Sequence, residues 1–139
     1  MRRRPARALL VTALLVSLSA CGGSGDGAQQ VGGPVAAGIV PGATLTGTVG
    51  SPSEPDAYEI GLTDAAGATV TTLPAGKYTI VVEDGSRIHN WALSGNGVDA
   101  ATDVVGTGTK TFEVTLSAGK YTYVCEPHTE SMNGSITVT

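Results

Sequence analysis

Apolar and polar side chains alternate at every second residue in this chain, and that alternation constrains its fold more than any other feature. Tyr78, Ile80 and Val82 alternate with Thr79, Val81 and Glu83; Phe112, Val114 and Leu116 with Glu113 and Thr115; Ile136 and Val138 with Thr137. A period of two puts residues i and i+2 on one face, the pattern of a strand with one side buried. Pro74-Ala75-Gly76-Lys77, Glu83-Asp84-Gly85-Ser86 and Ser117-Ala118-Gly119-Lys120 separate these runs with residues suited to turns. Beyond the leader no window of helical length carries a sustained i, i+3, i+4 apolar stripe, and Val98 to Val105 fits neither period cleanly. Short strands at regular intervals, rich in Thr, Val and Gly, predict an all-β fold: a two-sheet, antiparallel, Greek-key β-sandwich. The likeness of Pro74-Ala75-Gly76-Lys77-Tyr78-Thr79 to Ser117-Ala118-Gly119-Lys120-Tyr121-Thr122 reads as one turn-into-strand chemistry used twice, not as a solenoid repeat.

Strand parity gives four other residues a place. Apart from Met1 and Cys21, every Cys, His and Met in the sequence is His89, Cys125, His128 or Met132. Tyr121, Tyr123 and Cys125 share a face, as do His89, Trp91 and Leu93, and the bulky apolar neighbours make both faces inner ones. Cys125 ends its strand and His89 begins its own. If these strands are antiparallel neighbours, the two residues meet at one end of the sandwich, and the run after Cys125 can fold back to bring His128 and Met132 over the same spot. One thiolate, two imidazoles and a weak thioether form the donor set of a mononuclear copper centre that moves electrons. Thioether is a rare zinc ligand, and the Cys-x-x-Cys-His run of haem attachment is absent.

The amino terminus predicts where such a centre would work. Arg2, Arg3, Arg4 and Arg7 precede an apolar run from Ala8 to Val16 that is too short to span a bilayer, the layout of an export signal. Leu18-Ser19-Ala20-Cys21 resembles the bacterial lipobox, whose cysteine is cleaved to the first position and acylated. The sequence therefore divides into a lipoprotein signal peptide at 1–20, with its own helix, a lipidated flexible tether at 21–42, low in bulky apolar residues, and a folded domain at 43–139. Removal of the signal leaves Lys77, Arg87, Lys110 and Lys120 against all twelve acids, a formal charge of −8 that disfavours nucleic acid and favours basic partners. With Cys21 lipidated, Cys125 has no disulfide partner, and an exported lone thiol is an oxidation liability unless buried or metal-bound.

The segments Tyr121-Thr122-Tyr123-Val124-Cys125-Glu126-Pro127-His128, Met132-Asn133-Gly134-Ser135-Ile136-Thr137-Val138 and His89-Asn90-Trp91 together resemble the plastocyanin and pseudoazurin branch of the cupredoxins, type 1 blue copper proteins. The resemblance covers about the last half of the chain. It implies His89 and His128 as imidazole ligands of one copper ion, Cys125 as the thiolate and Met132 as the axial thioether. It also implies that Asn90 hydrogen-bonds around the thiolate and ties the two ligand segments together, and that Pro127 is the loop proline beside the ligand histidine. One departure stands out: three residues separate His128 from Met132, where plastocyanin-like loops have four and amicyanin-like loops two.

Taken singly, these residues have plainer readings: Cys125 as a buried thiol, His89 as a core histidine, Met132 as a core filler. Their joint placement on one loop and one matching strand outweighs them. Trp91 reads as core and not as an electron relay, Tyr121 and Tyr123 as strand core with one hydroxyl closing a loop. Glu126 and Glu130 fit either a solvated rim or an acidic docking surface. The reading that results is a monomeric, membrane-tethered, extracytoplasmic single-electron carrier cycling Cu(I) and Cu(II), meeting redox partner proteins transiently near His128. Two other classes stay open: a copper buffer or chaperone, and a metal-free interaction module on the same sandwich. An enzyme is disfavoured, because one metal site consumes every donor and no third residue orients Cys125 and His128 as nucleophile and base.

Overall fold

The computed structural model describes residues 38–139; the signal segment 1–20, Cys21 and the tether up to residue 37 lie outside the described residues. Nine strands follow: β1 Thr44–Val49, β2 Ile60–Thr63, β3 Thr72–Leu73, β4 Gly76–Asp84, β5 Ala92–Gly95, β6 Val98–Ala101, β7 Gly108–Leu116, β8 Gly119–Val124 and β9 Asn133–Val138. The one helical element among the described residues is a single 3-10 turn, Glu126–His128. One sheet has the order β2-β1-β4-β7 and the other β3-β9-β8-β5-β6. Their inner faces meet as the alternation predicts, with Tyr78, Ile80, Val82, Leu116, Tyr121, Tyr123, Ile136 and Val138 buried. Val98 to Ala101 resolves as strand β6.

The sheets are mixed where the sequence reading expects antiparallel pairing throughout. β1 runs parallel to β4, and β3 parallel to β9. The reason lies in the two similar turns, which are corners between sheets and not hairpins. Pro74-Ala75 carries the chain from β3 in one sheet to β4 in the other, and Ser117-Ala118 carries it back from β7 to β8. Consecutive strands at these corners do not pair, so β4 finds its neighbours elsewhere. Each corner is fastened by the tyrosine four residues on: the Tyr78 hydroxyl donates to the Pro74 carbonyl at 2.7 Å, and the Tyr121 hydroxyl to the Ser117 carbonyl at 3.0 Å. This use of a tyrosine is familiar in sandwich corners.

Two contacts set the spacing of the layers near the site. Trp91, fully buried, stacks on Tyr123 at 5.9 Å and 13° and donates its indole N–H to the Gly61 carbonyl of the opposite sheet at 3.0 Å. Gly134 faces Tyr123 across the β8/β9 register, and a β-carbon there would overlap the tyrosine ring. At the other pole the chain enters the fold. Ile39 packs against the core, and the Gly42 N–H donates to the Lys77 carbonyl at 2.7 Å beside the start of β4. β1 and β4 then run in parallel away from that entry, toward the end where the candidate site lies.

Candidate metal centre

β5 and β8 are antiparallel neighbours, with Ala92 opposite Val124 and Leu93 opposite Tyr123. The segment leading into β5 and the segment leaving β8 therefore share one end of the sandwich, and His89 and Cys125 stand there, both fully buried. His89 belongs to the lead-in and not to the strand itself, so Asn90, out of phase with it, is buried as well.

The run after Cys125 turns back at once. Pro127 sits in the first turn of the 3-10 element, where its missing N–H goes unneeded. The His128 N–H donates to the Cys125 carbonyl at 2.9 Å, and the His128 carbonyl accepts from Ser131 at 3.0 Å and Met132 at 2.8 Å. The last is an i+4 bond, so three intervening residues make one α-type turn and set His128 and Met132 on the same side of it. The Cys125 N–H closes the loop on the Met132 carbonyl at 3.0 Å, and Met132 is fully buried.

Three ligand atoms converge. His89 Nδ1 and His128 Nδ1 are 3.0 Å apart, and Cys125 Sγ lies 3.6 Å from the first and 3.5 Å from the second. A point equidistant from the three is about 2.0 Å from each, a metal–imidazole bond length. His89 Nε2 donates to the Asp56 carbonyl at 3.1 Å, which leaves the Nδ1 lone pair aimed at the centre. Two imidazole nitrogens and a sulfur thus face one another across a gap of the size a single metal ion fills. One thiolate with two imidazoles suits a single copper ion, since sulfur favours the reduced ion and imidazole serves both states.

Asn90 ties the ligand segments together. Its Oδ1 accepts the Glu126 N–H at 2.8 Å, and its Nδ2 donates to Glu126 Oε2 at 2.6 Å and to the Thr102 carbonyl at 3.2 Å. Behind it, buried Asp84 accepts from the Ser86 N–H and the Thr102 hydroxyl, each at 3.0 Å, and Thr102 Oγ1 accepts the Trp91 N–H at 2.9 Å. Burial raises the Asp84 carboxyl above its ordinary pKa, outweighing these two hydrogen bonds and the attraction of His89. Burial likewise raises the Tyr123 phenol.

Sequence reasoning does not find Asp56, Tyr58, Ser86 or Thr102. The Ser86 hydroxyl accepts the N–H groups of Ile88 at 3.1 Å and His89 at 3.2 Å and donates to Asp56 Oδ1 at 2.8 Å. The Tyr58 ring lies edge-on to both imidazoles, 5.0 Å from His89 and 4.8 Å from His128. An exposed-looking aromatic in the polar run Ser51 to Glu59 is the one signal that could have drawn attention there.

A family model described as copper binding proteins, plastocyanin/azurin family, matches residues 62–139. Among solved structures, reduced rusticyanin is similar over 76% of this chain and 83% of its own length, with a TM-score of 0.55 at 17% identity. Rusticyanin from Thiobacillus ferrooxidans is similar over 79% and 85%, with a TM-score of 0.55 at 16% identity. At those identities the likeness is one of fold. No curated protein matches the chain.

Proposed function

The chain belongs to the plastocyanin/azurin family of copper-binding proteins, and on that premise we propose that it is a single-electron carrier, lipid-anchored at Cys21 outside the cytoplasm, at the outer face of the cytoplasmic membrane or in the periplasm. The observation that carries the reading is the triangle of His89 Nδ1, Cys125 Sγ and His128 Nδ1, with edges of 3.0 to 3.6 Å. These three atoms would hold copper, with the thioether of Met132, one turn beyond His128, as a further donor. Copper bound there provides a one-electron couple.

The chain's own part is to keep the ligands still. His89 is held through its outer nitrogen by the Asp56 carbonyl, and Cys125 by the loop closure to Met132 and by Asn90. Ligands that do not move between oxidation states keep the reorganisation cost of transfer low. His128 is half-buried on the outer loop and offers the electron its exit. Exposed Glu126 and Glu130 beside it suit a basic partner, in small, transient and salt-sensitive contacts.

The test is copper addition to the purified domain with optical and electron paramagnetic resonance spectra and voltammetry. The reading expects an intense blue band, narrow hyperfine splitting and a reversible one-electron wave, all lost in His128→Ala. A pale tetragonal spectrum refutes it, and a blue protein that readily surrenders copper but exchanges electrons slowly favours copper delivery. For the anchor, palmitate labelling that persists in Cys21→Ser refutes lipidation at that residue.

A further inference from the structure

The two imidazoles are secured unequally. His89 is fully buried and its outer nitrogen has a backbone acceptor at 3.1 Å. His128 stands on a three-residue turn that contains no buried residue, and the partner of its outer nitrogen among the described residues is the Tyr58 hydroxyl at 3.5 Å, too long to hold a ring in place. Its inner nitrogen faces His89 Nδ1 at 3.0 Å and Cys125 Sγ at 3.5 Å, and on its outer side the ring is met by an aromatic contact. Tyr58 meets His128 at 4.8 Å and 62°, and His89 at 5.0 Å and 76°, the edge-on geometry that aromatic pairs favour. Tyr58 is 57% exposed while His89 is not exposed at all, so the phenol ring is part of what covers His89, and it lies against the half-buried His128.

The loop that carries Tyr58 is built to hold it there. Its neck is closed by the Gly50 N–H on the Glu59 carbonyl at 2.9 Å, and inside it the Ala57 N–H donates to the Glu54 carbonyl at 3.0 Å and the Glu54 N–H to the Ser51 hydroxyl at 3.1 Å. Two residues before Tyr58, Asp56 bonds the ligand segment twice, through its carbonyl to His89 and through its carboxylate to the Ser86 hydroxyl. The position of the ring is thus fixed relative to His89 before any metal is considered.

We propose that Tyr58 is a positioning residue of the centre: its ring clamps His128 in the ligand orientation against His89, with or without metal, and covers the outer side of the site so that copper leaves slowly. The proposal rests on the copper reading above, and its test separates the two. Wild type, Tyr58→Ala and Tyr58→Phe are compared by side-chain NMR of His128 in the metal-free domain and by the rate at which a soft Cu(I) chelator removes copper from the loaded domain. The expected result is a single ordered His128 ring with contacts to residue 58 in wild type and Tyr58→Phe, and an averaged ring in Tyr58→Ala. Copper removal is about tenfold faster in the Ala variant and close to wild type in the Phe variant. Because Tyr58 is 57% exposed, its truncation should leave the metal-free domain folded. An ordered His128 ring and an unaltered release rate in Tyr58→Ala overturn the proposal, as does a Phe variant that behaves like Ala. Failure of wild type to turn blue would defeat the copper reading, while the metal-free NMR comparison would still decide the role of Tyr58.

Discussion

Asn90 and Glu126 grip each other twice, the Asn90 amide oxygen accepting the Glu126 N–H at 2.8 Å and its nitrogen donating to the Glu126 carboxylate at 2.6 Å. Each is the next residue after a ligand, His89 or Cys125, so this pair sets the spacing of the imidazole and the sulfur. Asn90→Ala removes both bonds and the one to Thr102, leaving a backbone N–H and a carbonyl without their partner. The expected cost is about 1–3 kcal/mol in urea unfolding of the metal-free domain, with a shifted blue band in the loaded one. An unshifted band would mean that the Cys125 loop keeps its place without Asn90.

Met132→Leu separates the packing of this residue from its ligation. The swap nearly conserves volume in a fully buried position, so the domain should fold with a loss below about 1.5 kcal/mol. His89, Cys125 and His128 would remain as donors, so the blue colour should persist. If the thioether is a donor, its loss would disfavour the more highly charged ion, and voltammetry should give a higher potential. An unchanged potential would show that the thioether does not reach the metal.

The Asp84 carboxyl gives a pH dependence whose sign follows from burial. Its pKa in the folded domain is raised, so over the window from the ordinary Asp value up to the folded value the native state keeps a proton that the unfolded chain has lost. This contribution to stability is fully present below the window and is lost as pH rises through it. Asp84→Asn does not titrate. Urea unfolding of the two metal-free proteins across the acidic range should therefore show the variant gaining on wild type as pH increases. A difference independent of pH would mean that Asp84 keeps its ordinary pKa.

These sites differ in how far sequence foretells them. The inward placement of Tyr121 and Tyr123, and of Cys125 one residue past β8, follows from strand parity, because period two is a local property that burial on one face enforces. The burial of Asn90 does not follow, since His89 and Asn90 precede strand β5 and escape its alternation. Parallel pairing of β1 with β4 is likewise hidden. Turn chemistry at Pro74-Ala75 announces a change of direction, but not that the chain changes sheets there. Tyr58 is the hardest case: it reaches His128 across seventy residues, from a loop whose composition has no period and whose partners are set only when the sandwich closes.

The two corner tyrosines should not be equal. Tyr78 makes one bond at its corner, donating to the Pro74 carbonyl, whereas the Tyr121 hydroxyl both donates to the Ser117 carbonyl and accepts the Ser117 N–H, each at 3.0 Å. Tyr78→Phe therefore loses one hydrogen bond, about 1 kcal/mol, while Tyr121→Phe also strands a part-buried backbone N–H and should cost up to about 3 kcal/mol. Both hydroxyls lie where strands β4 and β8 begin, and the metal centre lies where they end, so neither substitution should alter the copper spectrum. Chemical unfolding of the two variants beside their optical spectra checks both halves. Equal losses would mean that water satisfies the Ser117 N–H once the phenol is gone, and a perturbed spectrum in Tyr121→Phe would mean that strain at the corner travels the length of β8 to Cys125.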